Sequence, residues 1–396
     1  MSLSLLRPQY LGEQVWKITM IDQINGQCDP LFETVKTAFE TNFKQHGDVG
    51  ASVAITLDGE FVVDLWGGYL DEQKTVPWQE DTLINVWSST KTMAAMSLLL
   101  LADLGEVDLH AAAAKYWPEF AQNGKDKVEV RHFLSHSAGL SGMDAPVDGD
   151  ALYDWDWMTS ALAAQAPWWE PGTQSGYHAI TQGHLIGEIV RRVTGQSIGN
   201  FFRQEIAEPL SADFHIGADA SLDARITNLF PPPTSVAAAD EGSIAARTFA
   251  NPRVDATEPR KRGWRAAEIP AANGQGNARS IVRAQTPMAN GGSAFGKTIM
   301  SEAGTRRIFE QQSSGIDLAL GIPITFGMGY GLNSDLAPLS PNKNTCFWGG
   351  YGGSLVLVDQ DARLCLSYVM NKMEAGLVGD MRGFNLVQAA YQALAA

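Results

Sequence analysis

Cysteine is nearly absent from this chain of 396 residues, in which only Cys28, Cys346 and Cys365 occur. Three scattered thiols build neither a disulfide framework nor the paired-cysteine spacing of a zinc site, and they fit a reducing compartment. Charge is also scarce, at 18% of residues, and positive charge scarcer still: 29 Lys and Arg stand against 44 Asp and Glu, a formal net charge of -15. Proteins that grip nucleic acid or anionic membranes cluster basic residues to displace counterions, so neither partner is expected. No stretch approaches the ~20 apolar residues of a membrane span. Before Gln14 there is neither the apolar core nor the small-residue cleavage site of a secretory signal. The cytoplasm is therefore the expected location.

What the chain does have is enough apolar content, 45%, for one large or two medium domains. Residues 1–28 show no clear period. Leu31, Val35, Phe39 and Phe43 then recur every fourth residue, which predicts an amphipathic helix from Asp29 to His46, capped by Asp29 with Pro30 in its first turn. The runs Ala51–Leu57 and Glu60–Trp66 flank Asp58-Gly59, a hairpin signal. A second hairpin is expected from Leu355–Asp359 and Arg363–Met370, after a strand at Thr345–Trp348, and an apolar-faced helix from Met381 to Leu394 closes the chain. Between about residues 110 and 270 the texture is helical, with pieces at Ala111–Tyr116, Val130–His136, Trp157–Gln165 and His178–Thr194 and no convincing strand. Phe230–Gly276 holds Pro231, Pro232, Pro233, Pro252, Pro259 and Pro270 with little periodicity, and is expected to be a surface excursion bordering a pocket. These elements predict an α+β fold: an antiparallel sheet from 1–110 and 270–396 flanked by helices, with a mainly helical domain, 111–269, inserted between, its long loop at about 230–269.

The chemistry starts at Ser88, where a helix is expected to begin and run without Pro or Gly to Gly105. Lys91 lies three residues on, on the same face. A serine hydroxyl is a weak nucleophile until a base takes its proton, and lysine is that base only when neutral. Burial and the positive end of the helix dipole both push its pKa down. The same pattern also describes a serine that merely caps a helix. Tyr177, at the junction of the loop Trp168–Gly176 with the next helix, is a candidate to relay a proton to a leaving group, or is simply a core tyrosine. Trp348-Gly349-Gly350-Tyr351-Gly352-Gly353 sits where a strand is expected, and glycine in a strand marks close approach to the backbone. An N–H there is placed to join that of Ser88 as an oxyanion hole. Trp66-Gly67-Gly68-Tyr69 is a competing copy, and composition alone does not separate the two.

Other signals fail on context. Ser135-His136-Ser137-Ala138-Gly139 lacks the first glycine and the preceding strand of a nucleophile elbow, so Ser137 is a poor nucleophile candidate. His132 and His136 are four apart but have no H-E-x-x-H glutamate and no third ligand, which makes them structural histidines and leaves no metal site. Trp155, Trp157, Trp168 and Trp169 are candidates to line an apolar cleft or to fill the core.

Taken in order, Ser88-x-x-Lys91, Tyr177 and Trp348-Gly349-Gly350 resemble the motifs of the serine β-lactamase and penicillin-binding superfamily, and are most similar to the class C-like family VIII carboxylesterases. Leu134–Leu140 and Trp169–Thr173 resemble loops of the same group, and the match covers most of residues 30 to 395. The resemblance implies that Ser88 is acylated, that Lys91 and Tyr177 share the proton transfers, and that the N–H groups of Ser88 and Tyr351 hold the oxyanion. It implies no cofactor. It also implies a substrate cleft edged by Trp348, Gly349, Gly350 and His178. Two departures bear on substrate. The class C Tyr-x-Asn reads Tyr177-His178-Ala179 here, removing an amide handle, and Trp348 stands where a carboxylate-binding lysine is expected. An indole offers an apolar wall and no salt bridge. Both favour a small-molecule ester with a short acyl chain, with weak β-lactam hydrolysis or acyl transfer beside it. An amidase or peptidase of the same fold, or a module that is acylated and stays so, are the alternatives. Oligomeric state is not legible.

Overall fold

The computed structural model describes residues 24–232 and 239–396. Residues 1–23, including the N-terminal stretch read above, and Pro233 lie outside the described residues.

Nine strands form one antiparallel sheet: β1 (Ile24–Cys28), β2 (Gly50–Leu57), β3 (Glu60–Gly68), β4 (Ser313–Ile316), β5 (Pro323–Phe326), β6 (Gly331–Leu332), β7 (Thr345–Gly349), β8 (Leu355–Asp359) and β9 (Leu364–Met370). Their spatial order is β1-β3-β2-β9-β8-β7-β6-β5-β4. Both predicted hairpins are present, β2–β3 around Asp58-Gly59 and β8–β9 around Gln360-Asp361. They join at the centre, where β2 pairs with β9 in the register Val53↔Tyr368. Every residue of β9 is buried, so the strand reads as a continuous apolar run, as a strand covered on both faces must.

The covers are helices. Side chains alternate between the faces of a strand, so Cys365 and Tyr368 point to opposite sides. Cys365 meets Thr286 on α4 (Ala278–Ala289), while Tyr368 reaches Asp48 and the start of α5 (Met381–Leu394). Helix α1 (Glu33–Gln45) lies beside α5, and the Thr34 hydroxyl donates to the Ala389 carbonyl. Asp29 caps this region as expected, but through a short 3-10 turn, Pro30–Phe32, which rotates Leu31 out to solvent while Val35, Phe39 and Phe43 stay buried. Helix α2 (Thr90–Asp103) is buried along nearly its whole length and packs on α3 (Thr181–Thr194). Among the described residues, no helix is long and apolar enough to cross a membrane.

Three expectations need correction. Ser88 does not open the regular helix: it sits in a 3-10 turn, Trp87–Ser89, that feeds α2 at Thr90, whose hydroxyl donates to the Trp87 carbonyl at 2.5 Å. The stretch 230–276, as far as it is described, is not all surface. It contains helices at Ile244–Ala250 and Arg262–Ala266, and Ile269–Gly276 runs through the core, pairing Gln275-Gly276 with Ile84-Asn85. Strand order also extends to β4–β6, which period and composition did not announce.

A buried ion cluster ties α5 to the sheet. Arg382, 2% exposed, donates to Asp48 (2.6 Å), Asp380 (2.6 Å), the Lys372 carbonyl (2.8 Å) and the Gly352 carbonyl (2.7 Å). Replacing one partner of such a group strands the other charges in the core. Arg382→Met is expected to destabilise the protein by about 3–5 kcal/mol, read as a lower urea midpoint in equilibrium unfolding. An unchanged midpoint would show that the cluster is energetically idle.

Candidate active site

One oxygen gathers the three predicted polar groups. The Ser88 Oγ lies 3.1 Å from Lys91 Nζ and 2.5 Å from the Tyr177 hydroxyl. The first distance follows from helix geometry, since residues three apart share a face. The second crosses the fold, bringing the loop before α3 against the start of α2.

Lys91 is 1% exposed, and no carboxylate is paired with it among the described residues. Burial alone holds its pKa well below the ordinary value. Besides Ser88, its Nζ touches the carbonyls of Ala179 (2.7 Å) and Ala271 (2.8 Å). Carbonyls only accept. In its neutral form the amine would give its two protons to these carbonyls and turn its lone pair to the Ser88 hydroxyl. Tyr177, 2% exposed, is pushed the other way by burial, so its phenol keeps its proton and donates it to Ser88 Oγ. Ser88 Oγ thus accepts a hydrogen bond from Tyr177 and lies within hydrogen-bond distance of Lys91 Nζ.

Tyr177 is held from behind. Its N–H donates to Asp317 Oδ1, which also accepts from Ala319 and Leu320, all at 2.9 Å. Its ring packs between His136 and Trp348, with centroids at 4.8 and 5.4 Å, and Lys91 Nζ sits 4.6 Å from its centre. Trp348 is 1% exposed and lies behind Tyr177 instead of walling the cleft. Its indole N–H makes no well-formed hydrogen bond among the described residues, yet is close enough to the phenol to pull its pKa back down.

His178 does not reach the cleft. It is fully buried, its Nε2 accepts from the Leu140 N–H at 3.1 Å, and its Nδ1–H donates to the Gly176 carbonyl at 2.7 Å. Burial pushes its pKa down to about 3, so the ring is a neutral strut. The next two residues, Ala179 and Ile180, line the cleft in its place. His132 and His136 are also buried and bound to backbone N–H groups, of Glu129 and His178 respectively, and no group of three metal-ligating side chains exists among the described residues. Ser137 is buried and pairs with the Ser135 hydroxyl. The four tryptophans lie off the cleft: Trp155, Trp168 and Trp169 donate to Glu188, Asp144 and the Gln174 carbonyl, and Trp157 is packed at the edge of the core.

The glycine-rich segment explains itself by close approach. A Cβ on Gly349 would stand 2.3 Å from the Gly379 nitrogen, and one on Gly350 2.4 Å from the Val86 carbonyl oxygen. Neither glycine lines the cleft; Tyr351 does. In this turn the N–H groups of Gly350 and Gly352 donate to the carbonyls of Ser354 and Gly376, and the Tyr351 N–H between them has no acceptor among the described residues. Ser354, which the sequence did not single out, fastens the turn to the Ser88 segment: its hydroxyl donates to the Val86 carbonyl (2.8 Å) and lies 3.0 Å from the Ser89 hydroxyl. The competing Trp66-Gly67-Gly68-Tyr69 lies largely in β3, paired with β1 and β2.

The cleft over Ser88 encloses about 710 Å³ and is mainly apolar, with Trp87, Ile180, Phe249, Tyr351 and Leu377 in its walls. Residues 245–256 of the expected excursion contribute one rim, where Arg253 and Asp255 are the charged side chains that line the cleft and both are exposed. Sequence reasoning missed Trp87, Ser354, Asp317 and the two carbonyls around Lys91. Backbone carbonyls leave no trace in a sequence.

The chain has relatives among known proteins. Residues 35–390 match the family model described as Beta-lactamase. The chain is 34% identical over 377 residues to the esterase/beta-lactamase LipL of Mycobacterium tuberculosis, covering 91% of this chain and 86% of LipL. A crystal structure of a family VIII carboxylesterase superposes with a TM-score of 0.89 at 42% identity, covering 94% of this chain and 100% of that one. A penicillin-binding protein homologue from Caulobacter crescentus gives 0.88 at 37% identity, with 94% and 100% covered.

Burying a neutral lysine costs stability. Because the folded pKa is depressed, the unfolded chain binds a proton that the folded chain refuses between the two values, so stability falls as pH drops through that window. Lys91→Met removes the penalty. The variant is expected to melt above wild type at neutral pH, with the gap narrowing toward the ordinary lysine value of 10.5. A Met variant that melts lower at neutral pH would contradict a neutral, desolvated Lys91.

Proposed function

The chain belongs to the beta-lactamase family and is a hydrolase of the beta-lactamase fold, and from that premise we propose that it is a carboxylesterase acting on neutral, short-chain esters through an acyl-enzyme on Ser88. The observation that carries the reading is the convergence of Lys91 and Tyr177 on the Ser88 oxygen.

In this reading Ser88 Oγ adds to the ester carbonyl as its proton moves to Lys91 Nζ. The carbonyl oxygen takes the negative charge and is held by the N–H groups of Ser88 and Tyr351. The tetrahedral adduct collapses, the C–O bond to the alcohol breaks, and Tyr177 protonates the departing oxygen while the proton on Lys91 replaces the one Tyr177 gave. Water then attacks the acyl-enzyme, losing a proton to the same pair, and Ser88 leaves as the hydroxyl with the acid as product. The cleft supports neutral esters. Its walls are apolar, and Ala179, in the position of the class C asparagine, lines it without an amide to bind an acylamide arm. The names of the relatives, esterase/beta-lactamase and penicillin-binding protein homologue, support a slower lactam reaction at the same serine.

Turnover of p-nitrophenyl butyrate is expected to exceed that of a cephalosporin and of a D-amino-acid amide. Faster amide cleavage would favour the amidase alternative, and a stable adduct without turnover, seen by mass spectrometry, would favour an acylated sensor. Ser88→Ala is expected to abolish ester cleavage, and Lys91→Ala and Tyr177→Phe each to lower kcat by about 10² or more. Wild-type kcat/KM is expected to rise with pH through the depressed Lys91 ionisation and to level off below 10.5.

A further inference from the structure

Trp87, directly before Ser88, has φ of +48°, in the left-handed region that bulky side chains rarely adopt and glycine enters freely. The backbone there is fixed on both sides. The Val86 N–H donates to the Gly274 carbonyl (2.9 Å), the Val86 carbonyl accepts from Ser354, and the Trp87 carbonyl accepts from Thr90. This turn swings the chain from the Ile84-Asn85 pairing into α2 and aims Ser88 at the cleft. It calls for a left-handed residue, and the chain supplies a tryptophan where glycine would fit with less strain.

The side chain supplies the reason. The Trp87 ring is 5% exposed, lines the cleft beside Ser88, and packs between Trp264 and Tyr351, each at 5.6 Å between centroids. Trp264 is an ordinary core tryptophan, fully buried with its N–H donating to Asn85 at 2.8 Å. The Trp87 N–H, in contrast, has no acceptor among the described residues although it is buried. A strained backbone and an unpaired buried donor are both unfavourable for packing alone, and such features gather at functional sites.

We propose that Trp87 is a specificity-determining residue, whose ring closes the cleft next to the scissile carbonyl and limits the apolar body of the ester that Ser88 attacks. This rests on the esterase reading above. Without the ring, the cleft deepens toward Trp264.

The test uses two ester series on the full chain, p-nitrophenyl acetate, butyrate and octanoate for the acyl side, and methyl, butyl and octyl acetate for the alcohol side. In Trp87→Gly the ratio of kcat/KM for the longest to the shortest member is expected to rise about tenfold in one series, the scale of a reshaped hydrophobic pocket. The series that responds names the side the ring faces. Trp87→Phe is expected to shift the same ratio less, and Trp87→Ala, which keeps the strain, to melt below Trp87→Gly. Ratios within twofold of wild type in both series, from folded Trp87→Gly and Trp87→Phe, overturn the assignment to Trp87. Wild-type turnover of none of these esters overturns the esterase reading itself, and the proposal with it.

Discussion

The burial of a lysine is the constraint around which this structure is arranged. Lys91 lies in the first turn of a helix buried along nearly its full length, with no carboxylate beside it among the described residues, so burial favours its neutral form. A neutral amine still needs acceptors for its two protons. They come from Ala179, just after the loop that carries Tyr177, and from Ala271, where the chain re-enters the core after the excursion of the middle region. Segments far apart in sequence must therefore meet at one nitrogen. The same packing that excludes water from Lys91 raises the Tyr177 phenol, so a single desolvated site shifts the two groups in opposite directions, Lys91 down and Tyr177 up.

Around that core the fold acts as a clamp. The sheet takes its strands from both ends of the described chain, and the turn after β7 is brought to the Ser88 segment by Ser354 and braced from below by Arg382. Two backbone segments that line the cleft, at Ser88 and Tyr351, are thereby held in fixed relation. Side chains that look functional by composition, such as Trp348 and His178, serve one layer back: Trp348 supports the Tyr177 ring, and His178 locks the loop that bears it.

How much of this was legible depended on whether a property is local. Ser88 and Lys91 could be read because three residues along a helix fix a face, and both hairpins because Asp58-Gly59 and Gln360-Asp361 punctuate β-branched runs. Strands β4–β6 were hidden by their shortness and by Ser, Gly and Pro in Ser313–Ile316 and Pro323–Phe326, and helix α4 by its polar composition and Pro287. Tyr177 became identifiable through the order of motifs, since nothing local separates it from a core tyrosine. The depth of Trp348 and the facing of His178 were not legible, because a resemblance gives the position along the chain and tertiary packing decides which way the side chain points. The left-handed turn at Trp87 was hidden for the opposite reason: it violates the residue preference that would have announced it.

The central claim is that Ser88 is activated by a neutral Lys91, and its most direct measurement is the pH dependence of Ser88 phosphonylation by a p-nitrophenyl phosphonate, whose leaving group needs no proton. The rate constant is expected to rise through one ionisation well below 10.5 and then stay flat, with the ionisation lost in Lys91→Ala. A rate that climbs steadily to the ordinary lysine value, or an ionisation unchanged in Lys91→Ala, would contradict the account.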